Sequence, residues 1–177
     1  MGISSELKKN DAVFVSVPPK HYSERFASFA AELTKAYPLG CVVSLDTDVA
    51  ALSQKLKAAG ADPKKLLIVG AKCAQKGKCA VLSPRQAECD GSIVDLTMAL
   101  YRLVDTEKPK AIIMGPLSIL AAKNTKMDAL KFVNYVVDDS RKAKRKFVLM
   151  CSCKKEDARA NCAKDVELFV DKVVEEK

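Results

Sequence analysis

The sequence predicts an α/β protein: three layers, α/β/α, around a mostly parallel central sheet. Two observations predict it. Short apolar runs rich in Val, Ile and Leu recur along almost the whole chain, and between them apolar residues return at helical spacing. The runs are apolar at successive positions, so both faces of each strand need cover, and helices on the two sides of a parallel sheet supply it.

The elements follow in order. The first strand is 12–17 (AVFVSV), and Phe26, Phe29 and Leu33 then define one buried helical stripe. The second strand is 41–45 (CVVSL), followed by a helix with Val49, Leu52 and Leu56 on its inner face. A third strand at 66–69 (LLIV) leads into the stretch 70–91, where Gly77, Pro84, Gly91 and three cysteines interrupt the alternation. We read that stretch as a loop-rich excursion with a weak strand at 79–82. Ile93, Leu96, Leu100 and Val104 mark the next helix, 111–114 (AIIM) the next strand, Leu130, Val133 and Val137 another helix, and 147–150 (FVLM) a further strand. A last helix is expected over 158–169, then a short closing strand within 170–176, although the tail also reads as one continuous helix. Gly40 and Gly60 stand where helices should stop, Pro109 follows the third helix, and Asp48 and Ser92 are N-cap candidates.

Length and composition bound the rest. A chain of 177 residues, 49% hydrophobic and 29% charged, is enough for one domain with a full core, here taken as 1–177, and is not the composition of a disordered segment. No apolar run reaches the roughly 18–20 residues of a membrane span, and the N-terminus MGISSELKKND has no signal-peptide core, so the expectation is a soluble cytoplasmic protein without a membrane partner. The formal charge is +8. Basic residues are scattered except for one dense run, Arg141, Lys142, Lys144, Arg145 and Lys146, which reads either as a solvated helix end or as a nucleic-acid-binding stretch.

With the elements laid out, the chain resembles the RecA/KaiC-like branch of the P-loop NTPases, and more closely its shortened archaeal members that lack nucleotide motifs. Four segments carry the resemblance: VFVSVPPKHYSERFASFAAEL, CVVSLDTDVAALSQKLKAAGAD, AIIMGPLSILAAKNTKMDALKFVNYVVDDSRKAKRKFVLMCS and the tail DVELFVDKVVEEK. Against the family pattern, two places depart. A working phosphate loop needs G-x-x-x-x-G-K-[ST], whose glycines let backbone amides wrap the phosphates. The matching turn reads Val17-Pro18-Pro19-Lys20-His21-Tyr22-Ser23-Glu24: it holds no glycine, and its two prolines remove amide donors. The second motif ends an apolar strand with a metal-orienting Asp, whereas this strand ends Met114-Gly115-Pro116. The resemblance therefore implies no Mg-ATP hydrolysis, no catalytic residues and no cofactor.

Several residues could still carry chemistry. Lys20, His21, Ser23 and Arg25 lie near the start of a helix at the carboxyl edge of the sheet, where ligands of open α/β folds bind, and could hold a carboxylate or phosphate; the plain alternative is a polar surface turn. Asp46 belongs to the same edge, as a ribose or cation contact or merely as a helix-capping neighbour. Of seven cysteines, Cys73 and Cys79 are the best disulfide pair, while buried thiols and a thiolate metal site remain open; the spacing is not that of a structural zinc site, and no metal is expected. The leading expectation is a non-catalytic binding or regulatory module acting through an unidentified protein partner or as a homo-oligomer. A divergent nucleotide or phosphate binder using residues 18–25, and a basic nucleic-acid-binding protein, are the alternatives.

Overall fold

The computed structural model describes residues 2–72, 80–152 and 163–176. Among these, eight strands form one sheet: β1 (Ala12–Val17), β2 (Gly40–Ser44), β3 (Leu66–Gly70), β4 (Ala80–Ser83), β5 (Gln86–Glu88), β6 (Ala111–Gly115), β7 (Lys146–Ser152) and β8 (Lys172–Glu175). Their order across the sheet is β4-β5-β3-β2-β6-β7-β1-β8, and every neighbouring pair is parallel except β4–β5. The described helices are α1 (Ile3–Leu7), α2 (Pro19–Ala36), α3 (Val49–Ala58), α4 (Ile93–Glu107), α5 (Leu117–Lys123), α6 (Lys126–Lys142) and α7 (Ala163–Val166), with a 3₁₀ turn at Pro63–Lys65.

Successive side chains of a strand point to opposite faces, and here the two faces feed two separate cores. Phe14, Val43, Val69, Ile112 and Leu149 pack with the apolar stripes of α4, α5 and α6 and with Val166 of α7. Val13, Val42, Ile68, Ile113 and Val148 pack with α1, α2 and α3 on the other side. This is the three-layer arrangement expected from runs apolar at every position. Among the described residues no helix is long and apolar enough to cross a membrane.

Both predicted caps are made: Asp48 accepts from the amide of Ala51 at 2.8 Å, and Ser92 Oγ from that of Asp95 at 3.3 Å. Gly60 follows α3 with φ of 81°, a left-handed conformation that suits glycine. Gly40 has a different role from the one its type suggests. Helix α2 already ends at Ala36, because Tyr37 precedes Pro38 and is held extended at φ −129°, ψ 149°; Gly40 instead opens β2.

Three elements escaped the apolar pattern. In α1 only Ile3 and Leu7 are buried, too few for a period to emerge. In β5 only Ala87 is buried, and the strand exists because its backbone pairs with β3 on one side and β4 on the other. Helix α5, with Leu117 and Leu120 inward, is separated from α6 by a break at Asn124 and Thr125, the latter capping α6 through Asp128 N at 3.1 Å. At the tail, the expected closing strand is β8; of the helix expected over 158–169, the described residues hold α7. Cys73 and Cys79, the proposed disulfide pair, lie outside the described residues.

Strand β8 is fastened by one carboxylate. Asp171 accepts from the amides of Asp11 and Ala12, both at 2.8 Å, and from Arg141 at 2.7 Å. Partial burial alone would raise its pKa, but the Ala12 amide, the Arg141 guanidinium and the Asp11 amide outweigh it and hold the carboxyl below its ordinary value. A carboxyl depressed in the folded state stabilises the fold above its unfolded pKa and loses that contribution as the pH falls through the folded one. Asp171→Asn should therefore lower stability by about 1–2 kcal/mol at neutral pH, with the difference from wild type shrinking below about pH 4; urea unfolding at a series of pH values measures both.

Candidate functional site

In open α/β sheets, ligands sit beyond the carboxyl ends of the strands. In this protein those ends are Val17 of β1, Ser44 of β2, Gly115 of β6 and Ser152 of β7, with Ser44 in register with Gly115 and Val17 with Ser152. The connection from β1 enters α2 at once through Pro18 and Pro19. Pro18 takes the N-cap position without a side-chain cap, and the amide of His21 bonds back to the Pro18 carbonyl at 3.0 Å.

What fills the edge is Tyr22. It is only 6% exposed and stacks on Phe26, with ring centroids 5.8 Å apart. Its hydroxyl lies so close to Gly115 that a Cβ on that residue would come within 2.4 Å of it, and within 2.8 Å of the Met150 carbonyl oxygen. Gly115 is thus needed for close approach, since no side chain of any kind fits between Tyr22 and β7. The hydroxyl has no hydrogen-bond partner among the described residues. Burial, then the nearby Asp46 carboxylate and Cys151, raise its pKa well above the ordinary tyrosine value, so it stays a neutral phenol.

Of the predicted ligand residues, Lys20 and His21 are exposed on the first turn of α2, and Ser23 is exposed one turn on. Arg25 is held by an ion pair. Its guanidinium makes a two-pronged ion pair with Glu176, with Nε donating at 2.5 Å, and rests over the Phe29 ring at 4.7 Å. The Glu176 carboxylate raises the arginine's pKa further, and the pair ties the chain beyond β8 to α2. Asp46 is exposed beside the Tyr22 hydroxyl's neighbourhood and accepts from Ser44 Oγ at 2.8 Å and Thr47 Oγ1 at 2.9 Å. The fold thus gathers Tyr22, Asp46, Gly115 and Cys151 at one edge, and commits Arg25 to Glu176, which follows the carboxyl end of β8 beside β1. Tyr22 as the filler could have been suspected from the pairing of a bulky residue after Pro18-Pro19 with a bare Gly115-Pro116, but nothing local says that the two meet.

The basic run is divided in the same way. Arg141 bonds Asp171 and the Phe169 carbonyl, the latter at 2.9 Å; Lys146 bonds Asp11 at 2.7 Å; and Arg145 is buried and paired with Asp139. Lys142 and Lys144 are exposed. Three of the cysteines, Cys41, Cys89 and Cys151, are buried in the core beneath α4–α6. Burial pushes the Cys41 thiol up to about 12, with only a partial offset from the Arg145 charge. Among the described residues no three His, Cys, Asp or Glu side chains gather as a metal site would require.

A second feature of the carboxyl edge is a carboxylate pair at the start of α4. Asp90 accepts from the Ser92 amide at 2.8 Å, its carbonyl accepts from Lys123 Nζ at 2.6 Å, and the same ammonium reaches the Ala71 carbonyl at 3.0 Å. Asp95, 7% exposed, has one carboxyl oxygen without a partner among the described residues. Burial and then the Asp90 charge raise its pKa.

No family model matches the sequence, and no curated protein does. Among solved structures, the fold is similar to that of a KaiC-like protein from the hyperthermophilic archaeon Pyrococcus horikoshii. The TM-score is 0.65 at 13% identity, covering 93% of this chain and 70% of that one. The chain has a KaiC-like α/β fold. At that identity the likeness concerns architecture alone, and what the carboxyl edge does has to be argued from its own residues.

Two measurements probe this edge. Tyr22→Phe removes an unpartnered buried hydroxyl and should leave stability unchanged or raise it by up to about 1 kcal/mol, while Gly115→Ala, which forces a methyl against Tyr22 and Met150, should lower it by about 1–3 kcal/mol; a Gly115→Ala protein as stable as wild type would contradict this packing. For Asp95, a raised folded pKa means that ionisation opposes folding. Asp95→Asn should raise the melting temperature at neutral pH, and the gain should vanish as the pH falls below the unfolded aspartate pKa of about 4.

Proposed function

We propose that this chain is a RecA/KaiC-like domain that works without nucleotide chemistry, as a binding or regulatory module acting through protein partners or self-association. The observation that carries the reading is the Tyr22 side chain seated against Gly115. A nucleotide held over this edge would need backbone amides at the β1–α2 turn, a cation beside its phosphates and open space above β6 and β7. The turn begins Val17-Pro18-Pro19, and proline has no amide to offer. The space above β6 is taken by an aromatic ring, and the strand ends in a residue with no carboxylate and no room for one.

The exposed Lys20 and His21 favour no specific ligand on their own. Arg25, the strongest anion-binding group of the set, is already committed to Glu176, and a site that spends its arginine on holding the tail has no bidentate clamp left for a phosphate. The α/β scaffold without its nucleotide site retains outer helix faces and sheet edges, and recognition of macromolecules is the use that such surfaces support.

Isothermal titration of the protein with ATP and Mg²⁺ tests the reading. No binding heat is expected up to millimolar nucleotide. A micromolar dissociation constant would refute it.

A further inference from the structure

The outer face of α4 and α6 carries a feature that a solvated helix layer does not need. Tyr101 is 69% exposed, Tyr135 59%, Val94 68% and Met98 42%. Val94, Met98 and Tyr101 stand at i, i+4 and i+7 on α4, and Met98 and Tyr101, with Tyr135 from α6, rim a groove of about 200 Å³ between the helices. The groove continues into a second hollow that shares Thr97, Phe132 and Tyr135 with it and is lined by Val94. Tyrosine and methionine on an exposed apolar rim are the residue types that anchor protein interfaces.

We propose that this groove, under the non-catalytic reading given above, is the docking site for one amphipathic helix of a partner protein, apolar on one face and basic on the flanks. The backbone argues for a helix. Every amide and carbonyl along the middle of α4 and α6 is already used inside its own helix, so the groove offers an incoming chain no main-chain hydrogen bonds. An extended segment would bury its own backbone groups unpaired, whereas a helix arrives with them satisfied. From Val94 in the extension to Asp105 in the groove the two together run about 16 Å along α4, which matches three turns and anchors at i, i+3 or i+4, and i+7.

Charge argues for a basic partner. The chain as a whole is +8, yet the groove and its extension are bordered by Asp105, Asp128 and Asp139 against a single lysine, Lys131. Arg145 neutralises Asp139 from the buried side, which leaves Asp105 and Asp128 exposed at the two ends of the groove. On a strongly basic protein, an apolar cleft with acidic ends selects for lysine or arginine flanking the partner's apolar face.

Fluorescence anisotropy on the full chain at about 0.1 M salt, near one 10 Å screening length, decides the matter with three labelled helical peptides. The first carries leucines at i, i+4 and i+7 with lysines elsewhere. A second has glutamates in place of the lysines, and a third keeps the lysines with the leucines scrambled. The lysine peptide should bind at least tenfold more tightly than either of the others. Tyr101→Ala and Tyr135→Ala should each weaken it at least tenfold without moving the unfolding midpoint, and Asp105→Asn with Asp128→Asn should narrow the lysine-over-glutamate preference. General attraction to a +8 protein predicts the opposite order, so tighter binding of the glutamate peptide overturns the proposal, as does binding by neither. Sedimentation velocity supplies a further arm: a dimer that Tyr101→Ala dissolves would assign the groove to a second copy and overturn the proposal as well. Titration with Mg-ATP in parallel separates the two readings, because nucleotide binding would refute the non-catalytic module and leave the peptide result standing.

Discussion

A parallel strand covered on both faces can spare neither a polar side chain nor an unpaired backbone group, and the rest of this protein is arranged around that constraint. Strands β1, β2, β6 and β7 lie inside the sheet and each sends alternate residues into two cores. Phe14 belongs to one and Val13 to the other, so shifting any of these strands by one residue would exchange the contents of two cores at once. Register is therefore strongly specified, and polar chemistry is pushed to the strand ends, where the chain turns into a helix.

Much of that polar chemistry, at both ends of the strands, serves the fold itself. Several charged side chains hold elements together. Arg25 pairs with Glu176 and secures the chain end on α2; Asp171 gathers two amides and Arg141 to fasten β8 against β1; Lys123 bridges the Ala71 and Asp90 carbonyls beneath α4. Tyr22 fills the volume above Gly115 at the expense of an unpartnered hydroxyl. Apolar burial of a ring that size offsets the unpaired hydroxyl, since a tyrosine ring buries a large apolar area while a buried hydroxyl without a partner costs about 1–3 kcal/mol.

Charge follows the same division. The formal +8 is not one basic field: Arg141, Arg145 and Lys146 each meet a carboxylate, and acidic side chains border the groove between α4 and α6. With Arg25, Arg85, Arg141 and Arg145 each meeting a carboxylate, exposed lysines supply much of the long-range attraction, which is screened within about 10 Å at ordinary salt.

The apolar runs and helical stripes by themselves determined strands β1, β2, β3, β6 and β7 and helices α2, α3, α4 and α6, because burial on both faces writes a continuous pattern that a reader of residues can follow; residue type marked the caps at Asp48 and Ser92, and the tail was left between a closing strand and a continuous helix. The turn at Val17-Pro18-Pro19 and the bare Gly115 were equally legible as an edge short of amides and carboxylates. Tertiary structure alone decided β5, held by backbone pairing with no apolar pattern to announce it, the closing strand β8, and the partners of Arg25 and Asp171, which lie up to 160 residues away along the chain. It also decided that Tyr22 reaches Gly115, and that Tyr101 and Tyr135 face a common groove. Periodicity reports which face of a helix is inward; contacts between elements far apart in sequence are set by how the layers pack, and one strand or helix does not encode its neighbour.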